Sequence, residues 1–306
     1  MLFHRQKVYL SSYEKKVDII SITDSQNFLH SKKLVSALVD MSNIQSDDTV
    51  LEIGPGKGII TEALSHKGCK VIAVEYDKSL AALLMEKFSG NPDITILKQD
   101  ILKFDLHNKS DYKVFSNIPF NITTGILSKL LDDSRVLDVY LIMQYEAFMR
   151  FAGAPFGEES YRALLYKPFI KSELLYKFSP TDFHPSPNVR IVFAHFSRIP
   201  KNDVNKKEYQ DFISFLFQEK GQIFIDKLKR IFTYEQIKRI CRATHIDKNQ
   251  LISEVSLDQI SYVYQIYQTI VPPDKKGLVS GAKQKKNQFN NHLSKRHRNS
   301  STKNKW

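Results

Sequence analysis

The chain has 306 residues, of which 42% are hydrophobic and 25% are charged, so it can bury the cores of about two domains. Its 45 Lys and Arg residues outnumber its 33 Asp and Glu residues, and the formal charge of +12 indicates a polyanionic partner. The longest apolar runs, such as Val71–Val74, are far shorter than the roughly 20 residues that cross a bilayer. Cys69 and Cys241 are too few for a disulfide framework and wrongly spaced for a zinc site. We therefore expect a cytoplasmic protein with no membrane and no metal partner.

The first two-thirds of the chain alternates β-rich and helical segments. Residues 1–24 are polar and basic, and we predict a flexible arm there. The segments that follow are predicted as strands at Thr49–Ile53, Lys70–Glu75, Ile94–Leu97, Lys113–Asn117 and Asp138–Gln144, and as helices from Ser31 and at Lys57–His66, Ser79–Phe88 and Thr123–Leu131. This alternation is typical of an α/β domain whose mostly parallel sheet is covered on both faces. Ser172–Phe178 and Val189–Phe196 predict an antiparallel pair at the sheet edge, and the domain is assigned residues 25–199.

The pattern becomes purely helical after Pro200. Four segments carry apolar residues at helical spacing, namely Glu208–Phe217, Gln222–Ile231, Tyr234–Cys241 and Leu257–Tyr267. We assign residues 200–271 to a small all-α, RNA-binding domain. From Lys275 to Trp306 there are ten Lys and Arg residues and no acidic residue, which leaves 35 basic and 33 acidic residues before them. Residues 272–306 are therefore predicted to be a basic disordered tail.

A glycine-rich turn follows the first long strand. Gly54, Gly56 and Gly58 stand where a strand ends and a helix begins, a place at which the backbone can approach an anionic ligand closely. The next strand ends at Glu75, which is placed to accept hydrogen bonds from ribose hydroxyls. Asp100 closes the strand after that and is placed to bind an adenine amino group.

The spacing of this constellation favours one cofactor. Gly-x-Gly-x-Gly differs from the Gly-x-Gly-x-x-Gly of dinucleotide sites, and it lacks the Gly-Lys-Ser/Thr ending of a nucleoside-triphosphate loop. We therefore predict S-adenosyl-L-methionine. The predicted cofactor-binding residues are Gln26, Asn27, Phe28, Glu52, Gly54, Gly56, Gly58, Glu75, Tyr76, Asp100, Ile101 and Asn117.

The reacting site is predicted where the fourth strand ends, in Asn117-Ile118-Pro119-Phe120. Pro119 holds the chain extended, so the Asn117 side-chain oxygen and a nearby backbone carbonyl can both face one exocyclic amine. Two acceptors on the amine hydrogens favour a pyramidal nitrogen whose lone pair can attack a sulfonium methyl group. Phe120 offers a flat surface on which a flipped base can stack.

Asn-Ile-Pro-Phe after a Gly-x-Gly-x-Gly loop resembles the rRNA adenine N6-methyltransferases. This family contains the erythromycin-resistance (Erm) enzymes and the 16S rRNA dimethyltransferases, and the resemblance runs from Asp24 to about Tyr267. Tyr140–Tyr145 and Arg230–Thr233 are more similar to the Erm branch. The resemblance implies a class I methyltransferase fold with a Rossmann-like seven-stranded sheet. It also implies that the substrate is 23S rRNA and that the enzyme acts as a monomer. The enzyme would mono- or dimethylate an adenine in a single-stranded loop beside a hairpin. The expected consequence is macrolide–lincosamide–streptogramin B resistance.

Two further motifs resemble the family. Ser25-Gln26-Asn27-Phe28 is similar to its N-terminal cofactor motif, and Phe183–Val189 is similar to its Phe-x-Pro-x-Pro-x-Val motif, whose Phe completes the target-base pocket. The resemblance thus adds Phe183 to the predicted catalytic residues, which are Asn117, Ile118, Phe120 and Phe183. Family members more often have Tyr at position 120, and Asn188 replaces a usual Lys.

Other functions stay open on the sequence. A 16S rRNA adenine dimethyltransferase of ribosome biogenesis is a close alternative, and a non-catalytic RNA-binding assembly or transcription factor on the same fold is a second. DNA adenine methylation fits less well, because such enzymes favour an acidic or Ser start to the Asn-Pro-Pro-Tyr-like motif. For the tail, we expect that a cut after Pro273 leaves the methylation site unchanged and weakens the salt dependence of RNA binding.

Overall fold

A computed structural model describes residues 27–104, 110–200, 203–218 and 221–288. Its strands are β1 (Phe28–Leu29), β2 (Thr49–Ile53), β3 (Lys70–Glu75), β4 (Ile94–Lys98), β5 (Tyr112–Asn117), β6 (Val136–Gln144), β7 (Ile170–Lys177), β8 (Phe183–His184) and β9 (Ile191–Arg198). Seven of them form the main sheet in the order β4-β3-β2-β5-β6-β9-β7. The first five in that order run parallel, whereas β9 lies antiparallel between β6 and β7. The predicted α/β fold with an antiparallel edge pair is therefore confirmed.

Helices cover both faces of the sheet. Those of the sheet domain are α1 (Lys32–Asp40), α2 (Ile59–His66), α3 (Lys78–Lys87), α4 (Thr123–Asp132), α5 (Tyr145–Ala152) and α6 (Tyr161–Tyr166). Side-chain caps fix several of their starts: Ser31 accepts a hydrogen bond at the start of α1, and Asp77 accepts two at the start of α3. Helices α5 and α6, which follow the last parallel strand, have no counterpart among the predicted segments.

A helical domain follows the sheet. It contains α7 (Lys206–Leu216), α8 (Phe224–Leu228), α9 (Tyr234–Thr244) and α10 (Leu257–Ile270), close to the four predicted segments. One continuous apolar cluster runs from the sheet through α7 to α10. The Tyr209 hydroxyl of α7 donates to the Leu164 carbonyl of α6 at 3.0 Å, so α7 packs directly on the sheet domain. None of the described helices is long and apolar enough to cross a membrane.

The predicted disorder of residues 272–306 is wrong for its first half. Helix α11 spans Pro273–Val279, and residues 282–288 form a further helical segment. Val279 and Ala282 are each only 1% exposed, and Asp211 of α7 accepts hydrogen bonds from two backbone N–H groups of this segment. The composition of the segment predicted disorder because it has few apolar residues of its own. The residues that order it, such as Asp211, lie elsewhere in the chain. A cut after Pro273 would remove packed structure, so the boundary of any tail lies after Gln288.

Two other predicted segments lie outside the described residues. These are the N-terminal arm at 1–24 and the remainder of the tail at 289–306, and Gln26 also falls outside.

Candidate active site

The predicted site residues gather at one edge of the sheet. Strands β2, β3, β4 and β5 are parallel and end near the glycine turn, Glu75, Asp100 and Asn117 respectively. Ligands of open α/β sheets bind outside the carboxyl ends of the strands, and this edge is such a place. The predicted residues that follow these strands are thus brought together by the topology.

The glycine turn has a backbone that only glycine adopts without strain. Gly54, Gly56 and Gly58 have φ angles of +64°, +58° and +79°. A Cβ atom on Gly56 would lie 2.7 Å from the Phe28 ring, and one on Gly58 would lie 2.7 Å from the Leu84 side chain. Both the positive φ angles and the close packing on the protein side therefore require glycine in this turn.

Glu75 is held in place by the backbone around it. Its carboxylate accepts hydrogen bonds from the Gly56 N–H at 3.2 Å and the Asp77 N–H at 2.9 Å, and the residue is 4% exposed. Tyr76, directly after it, is 62% exposed at the same strand end. One Glu75 oxygen therefore fixes the glycine turn relative to β3, while the ring of Tyr76 stands in solvent beside it.

Asp100 and Ile101 follow the neighbouring strand. One Asp100 oxygen accepts a hydrogen bond from the Leu102 N–H at 2.9 Å, and the Asp100 side chain is 29% exposed. Ile101 is buried. Asp100 thus has a fixed orientation and a carboxylate that solvent can still reach.

Glu52 is a buried carboxyl group beneath the glycine turn. It is 1% exposed, and its Oε2 accepts a 2.6 Å hydrogen bond from the Thr61 hydroxyl of α2. Its Oε1 is buried with no hydrogen-bond partner. Burial, reinforced by the nearby charge of Glu75, raises the pKa of Glu52 to about 8 against the lowering effect of the Thr61 bond. A positive charge arriving near Oε1 would favour the ionised form, which suits a cationic ligand.

We expect Glu52 to make stability fall as pH rises. Its folded-state pKa of about 8 exceeds the usual 4.5, so between these pH values the folded chain binds more protons than the unfolded chain. The free energy of unfolding should therefore decrease across this window, by at most about 1.4 kcal/mol per pH unit, and level off above pH 8. Glu52→Gln, which has the same shape and no charge, should flatten this slope in thermal melts of the ligand-free protein. Equal slopes for the two proteins would contradict the assignment.

The reacting loop is tied to the sheet at several points. The Ser116 hydroxyl bonds both backbone groups of Ile53, with its own hydrogen donated to the Ile53 carbonyl at 2.5 Å. The Ile118 N–H donates to the Ile142 carbonyl at 3.2 Å, and Ile118 is buried. Phe120 is half-buried and opens the short turn that leads into α4. The loop is thus fixed against β2 and β6 while Phe120 keeps part of its surface.

Asn117 is oriented by the N-terminal motif. Its Nδ2 donates to the Asn27 carbonyl at 2.9 Å, across 90 residues of sequence. A carbonyl can only accept, so this bond fixes which end of the amide faces Asn27 and turns Oδ1 the other way. The sequence predicts that Asn27 and Asn117 belong to one site, but it does not predict this hydrogen bond. Nothing within either motif indicates which residue of the other motif it contacts.

The N-terminal motif also meets the Phe183 motif. Strand β1 pairs antiparallel with β8, outside the main sheet. Phe183 is 2% exposed and packs against Phe178 with ring centroids 5.1 Å apart. Phe183 is connected to the reacting loop through β1. Strand β1 pairs with Phe183, and Asn27, directly before β1, accepts the hydrogen bond from Asn117. A cleft of about 280 Å³ borders Phe183 and is lined by Phe178, Ser179, Pro180, Pro187, Asn188, Val189, Arg190 and Ile191.

Arg190, which is not among the predicted site residues, contacts the start of α5 at this rim. Its guanidinium lies 4.5 Å from the Tyr145 ring centroid and donates to the Glu146 carboxylate at 2.8 Å and 3.1 Å. Tyr145 and Glu146 begin α5, whose existence the sequence pattern did not reveal.

Comparison with known proteins identifies the family. The family model described as ribosomal RNA adenine dimethylase matches residues 18–269. This chain belongs to that family. An rRNA adenine N-6-methyltransferase of Bacillus anthracis is 31% identical over 78% of this chain and 84% of its own length. A ribosomal RNA small subunit methyltransferase A of Fusobacterium nucleatum is 28% identical over 79% of this chain and 96% of its own length.

Solved structures show the same fold. The 23S rRNA methyltransferase ErmE matches with a TM-score of 0.70 at 22% identity, over 79% of this chain and 100% of that chain. A dimethyladenosine transferase from Plasmodium falciparum matches with a TM-score of 0.64 at 18% identity, over 79% and 97%. The family match and the curated relatives thus make the chain an rRNA adenine N6-methyltransferase with S-adenosyl-L-methionine as its methyl donor, and the solved structures show that its fold is of class I.

The residues present suit this cofactor. The three glycines of the turn carry no side chain that would keep a ligand from the backbone, and Glu75 and Asp100 offer carboxylates at adjacent strand ends. Glu52 has a buried oxygen without a partner. S-adenosyl-L-methionine carries two positive groups, its ammonium and its sulfonium. A positive group close to a buried carboxyl group stabilises the ionised carboxylate. Among the described residues, no group of three or more His, Cys, Asp and Glu side chains is arranged to hold a metal ion.

Proposed function

We propose that this methyltransferase adds one or two methyl groups to N6 of a single adenine in 23S rRNA. The modification would give macrolide–lincosamide–streptogramin B resistance. The proposal rests on the resemblance of Tyr140–Tyr145 and Arg230–Thr233 to the Erm branch, and it is supported by the 31% identity to the rRNA adenine N-6-methyltransferase of Bacillus anthracis. We further propose that it acts as a cytoplasmic monomer on an unpaired adenine beside an RNA hairpin.

The reaction is assigned to the reacting loop. Asn117 Oδ1, turned away from Asn27, and a backbone carbonyl of Ile118 or Pro119 would accept the two hydrogens of the adenine amine. S-adenosyl-L-methionine supplies an electrophilic methyl group on sulfur. The amine nitrogen forms a bond to the methyl carbon while the carbon–sulfur bond breaks, and the nitrogen then releases a proton to water. Positioning and charge placement supply the rate, since no described side chain needs to change its protonation state.

The remaining predicted residues hold the two reactants. Phe120 and Phe183 would enclose the flipped adenine, since both belong to one apolar cluster, Phe120 is only half-buried and Phe183 borders a cleft. We propose that the glycine turn, Glu52, Glu75, Tyr76, Asp100 and Ile101 hold the cofactor with Asn27 and Phe28. Gln26 is assigned there by its motif alone.

A second candidate substrate is 16S rRNA. It is favoured by the 28% identity to the small subunit methyltransferase A of Fusobacterium nucleatum. Expression of this chain in a macrolide-susceptible bacterium, with reverse transcription across both rRNAs, separates the two substrates. The proposal expects a stop in the macrolide-site loop of 23S rRNA together with erythromycin resistance. A stop in 16S rRNA alone would refute it. Because a monomethylated adenine still forms a Watson–Crick pair, the absence of a stop excludes only dimethylation, whereas the absence of radioactive methyl incorporation into both rRNAs would refute methylation of rRNA.

The C-terminal residues 289–306 should add non-specific RNA affinity. They contain five Lys and Arg residues and no acidic residue. Truncation after Gln288 should leave the methylated position unchanged and reduce the slope of log K against log salt by about 0.7 for each phosphate that the segment neutralises. Filter binding at several salt concentrations measures the slope, and a full-length variant with those five residues changed to Gln is the matched control. An unchanged slope in both variants would show that this segment binds no phosphates.

A further inference from the structure

Residues 273–288, hereafter the C-terminal clasp, lie beyond the point where the family model ends, at residue 269. The clasp nevertheless packs on the protein, with Val279 and Ala282 each 1% exposed. It lies against α7 of the helical domain and against α4 and α6 of the sheet domain. An added segment that touches both domains can influence how they are oriented.

Lys283 adds polar contacts to both domains, beside the apolar core that they share. Its ammonium donates to both Asp132 oxygens, at 2.8 Å and 2.9 Å, and to Gln210 Oε1 at 2.8 Å. Asp132 ends α4 in the sheet domain, whereas Gln210 lies on α7. The same ammonium lies 5.8 Å from the Tyr166 ring centroid of α6. All three hydrogens of the ammonium therefore have acceptors, and one side chain links three helices.

Further contacts hold the clasp against α7. Asp211 is only 4% exposed. Its carboxylate accepts hydrogen bonds from the Gly281 N–H at 2.9 Å and the Lys283 N–H at 3.0 Å. Gln218 Nε2 donates to the Ala282 carbonyl at 2.8 Å, and Lys286 Nζ donates to the Phe217 carbonyl at 3.1 Å. The clasp is thus anchored along α7 by buried apolar groups and by hydrogen bonds.

Helix α4 connects this anchor to the reacting loop. Its first residue, Thr123, directly follows the turn that begins at Phe120, and the Thr123 hydroxyl bonds the Pro119 carbonyl at 3.3 Å. Its last residue is Asp132, the partner of Lys283. A helix of this length spans about 15 Å and moves as one body. One end of α4 therefore carries the reacting loop, and the other end is fixed to the helical domain through the clasp.

We propose that the C-terminal clasp holds the helical domain in the orientation that presents RNA to the reacting loop, with Lys283 as the positioning residue. The part of this inference that concerns RNA rests on the proposed function. A direct phosphate contact by Lys283 fits less well, because its side chain is 19% exposed and its ammonium already has three acceptors.

The chain offers a matched control for the test. Lys283→Met removes the ammonium and keeps the apolar stem, whereas Lys285→Met removes the same charge from an exposed position two residues away in the same helical segment. Lys283→Met should raise the KM for RNA about fivefold, with kcat and the cofactor Kd within about twofold of wild type. Lys285→Met should behave as wild type. The exchange variant Lys283→Asp with Asp132→Lys should recover most of the loss.

Three results would overturn the proposal. Equal effects of the two methionine variants would mean that charge near RNA, and not the clasp, is responsible. A wild-type KM for Lys283→Met would remove the positioning role. Loss of cofactor affinity or of kcat in Lys283→Met, without recovery in the exchange variant, would indicate general damage to the fold.

A measurement without RNA separates this inference from the proposed substrate. Spin labels at exposed positions 33 on α1 and 248 after α9, in a Cys241→Ser background, report the distance between the domains. Lys283→Met should broaden the distance distribution, whereas Lys285→Met should not. Unchanged widths would refute the clasp even if the wild type methylates 23S rRNA. A broadened width would support the clasp even if the substrate proves to be 16S rRNA.

Discussion

Asn117→Ala should slow methylation of rRNA by a factor of at least about 10² while cofactor binding stays close to wild type. The substitution removes the oxygen that would accept a hydrogen from the adenine amine, and it also removes the Asn117 bond to the Asn27 carbonyl. Removal of one positioned hydrogen-bonding group from a reaction centre typically costs a factor of about 10² to 10³ in kcat. Single-turnover transfer of radioactive methyl groups to rRNA measures this loss, and isothermal titration measures the cofactor Kd.

Asn121→Ala provides the control for that experiment. Asn121 lies four residues further on in the same loop, and its side chain is exposed. Its replacement should leave both quantities near wild type. If Asn117→Ala retained full methyl transfer, Asn117 would have no part in the mechanism and the reacting loop would need another acceptor.

Gly56→Ala should have the second largest effect, through the loss of cofactor binding. The residue has a φ of +58°, which costs a non-glycine residue about 1–3 kcal/mol, and its new Cβ would lie 2.7 Å from the Phe28 ring. Relief of the contact would shift Phe28 or the turn, and with it the Gly56 N–H that bonds Glu75. We expect at least a tenfold weaker cofactor Kd and a lower melting temperature.

Gly90→Ala is the corresponding control. Gly90 has no heavy atom within 4 Å of an added Cβ and no positive φ, so alanine there should be neutral for cofactor binding. A Gly56→Ala protein with wild-type cofactor affinity would show that the turn does not approach the cofactor.

Local patterns account for the parts of the fold that were predicted correctly. The runs that form β2, β3 and β5 are rich in apolar residues, as expected for strands buried on both faces, and the glycine turn marks the end of β2. Strand ends and carboxylates in sequence order were enough to place Glu75 and Asp100 at one edge. These features depend on residues that are close together in the chain.

Contacts between distant residues account for what was missed. The bond from Asn117 to Asn27 joins two segments that are 90 residues apart, and neither segment alone shows that it forms. The clasp was predicted to be disordered because its own composition is polar and basic. It is ordered by Asp132 and Asp211, two acidic residues whose position beside it follows only from the fold.

The packing of α7 has a consequence for exchanging parts between related enzymes. Tyr209 bonds the Leu164 carbonyl, and its ring meets that of Phe169 with centroids 5.6 Å apart, so α7 completes the core beneath α6. A chimera joined at residue 200 would separate this helix from the surface that it covers. A junction after Phe217, at the end of α7, keeps that surface covered but separates α7 from α10, whose Tyr264 ring lies 5.1 Å from the Tyr209 ring. Helix α10 and the clasp, which bonds the Phe217 carbonyl, should therefore come from the same parent as α7.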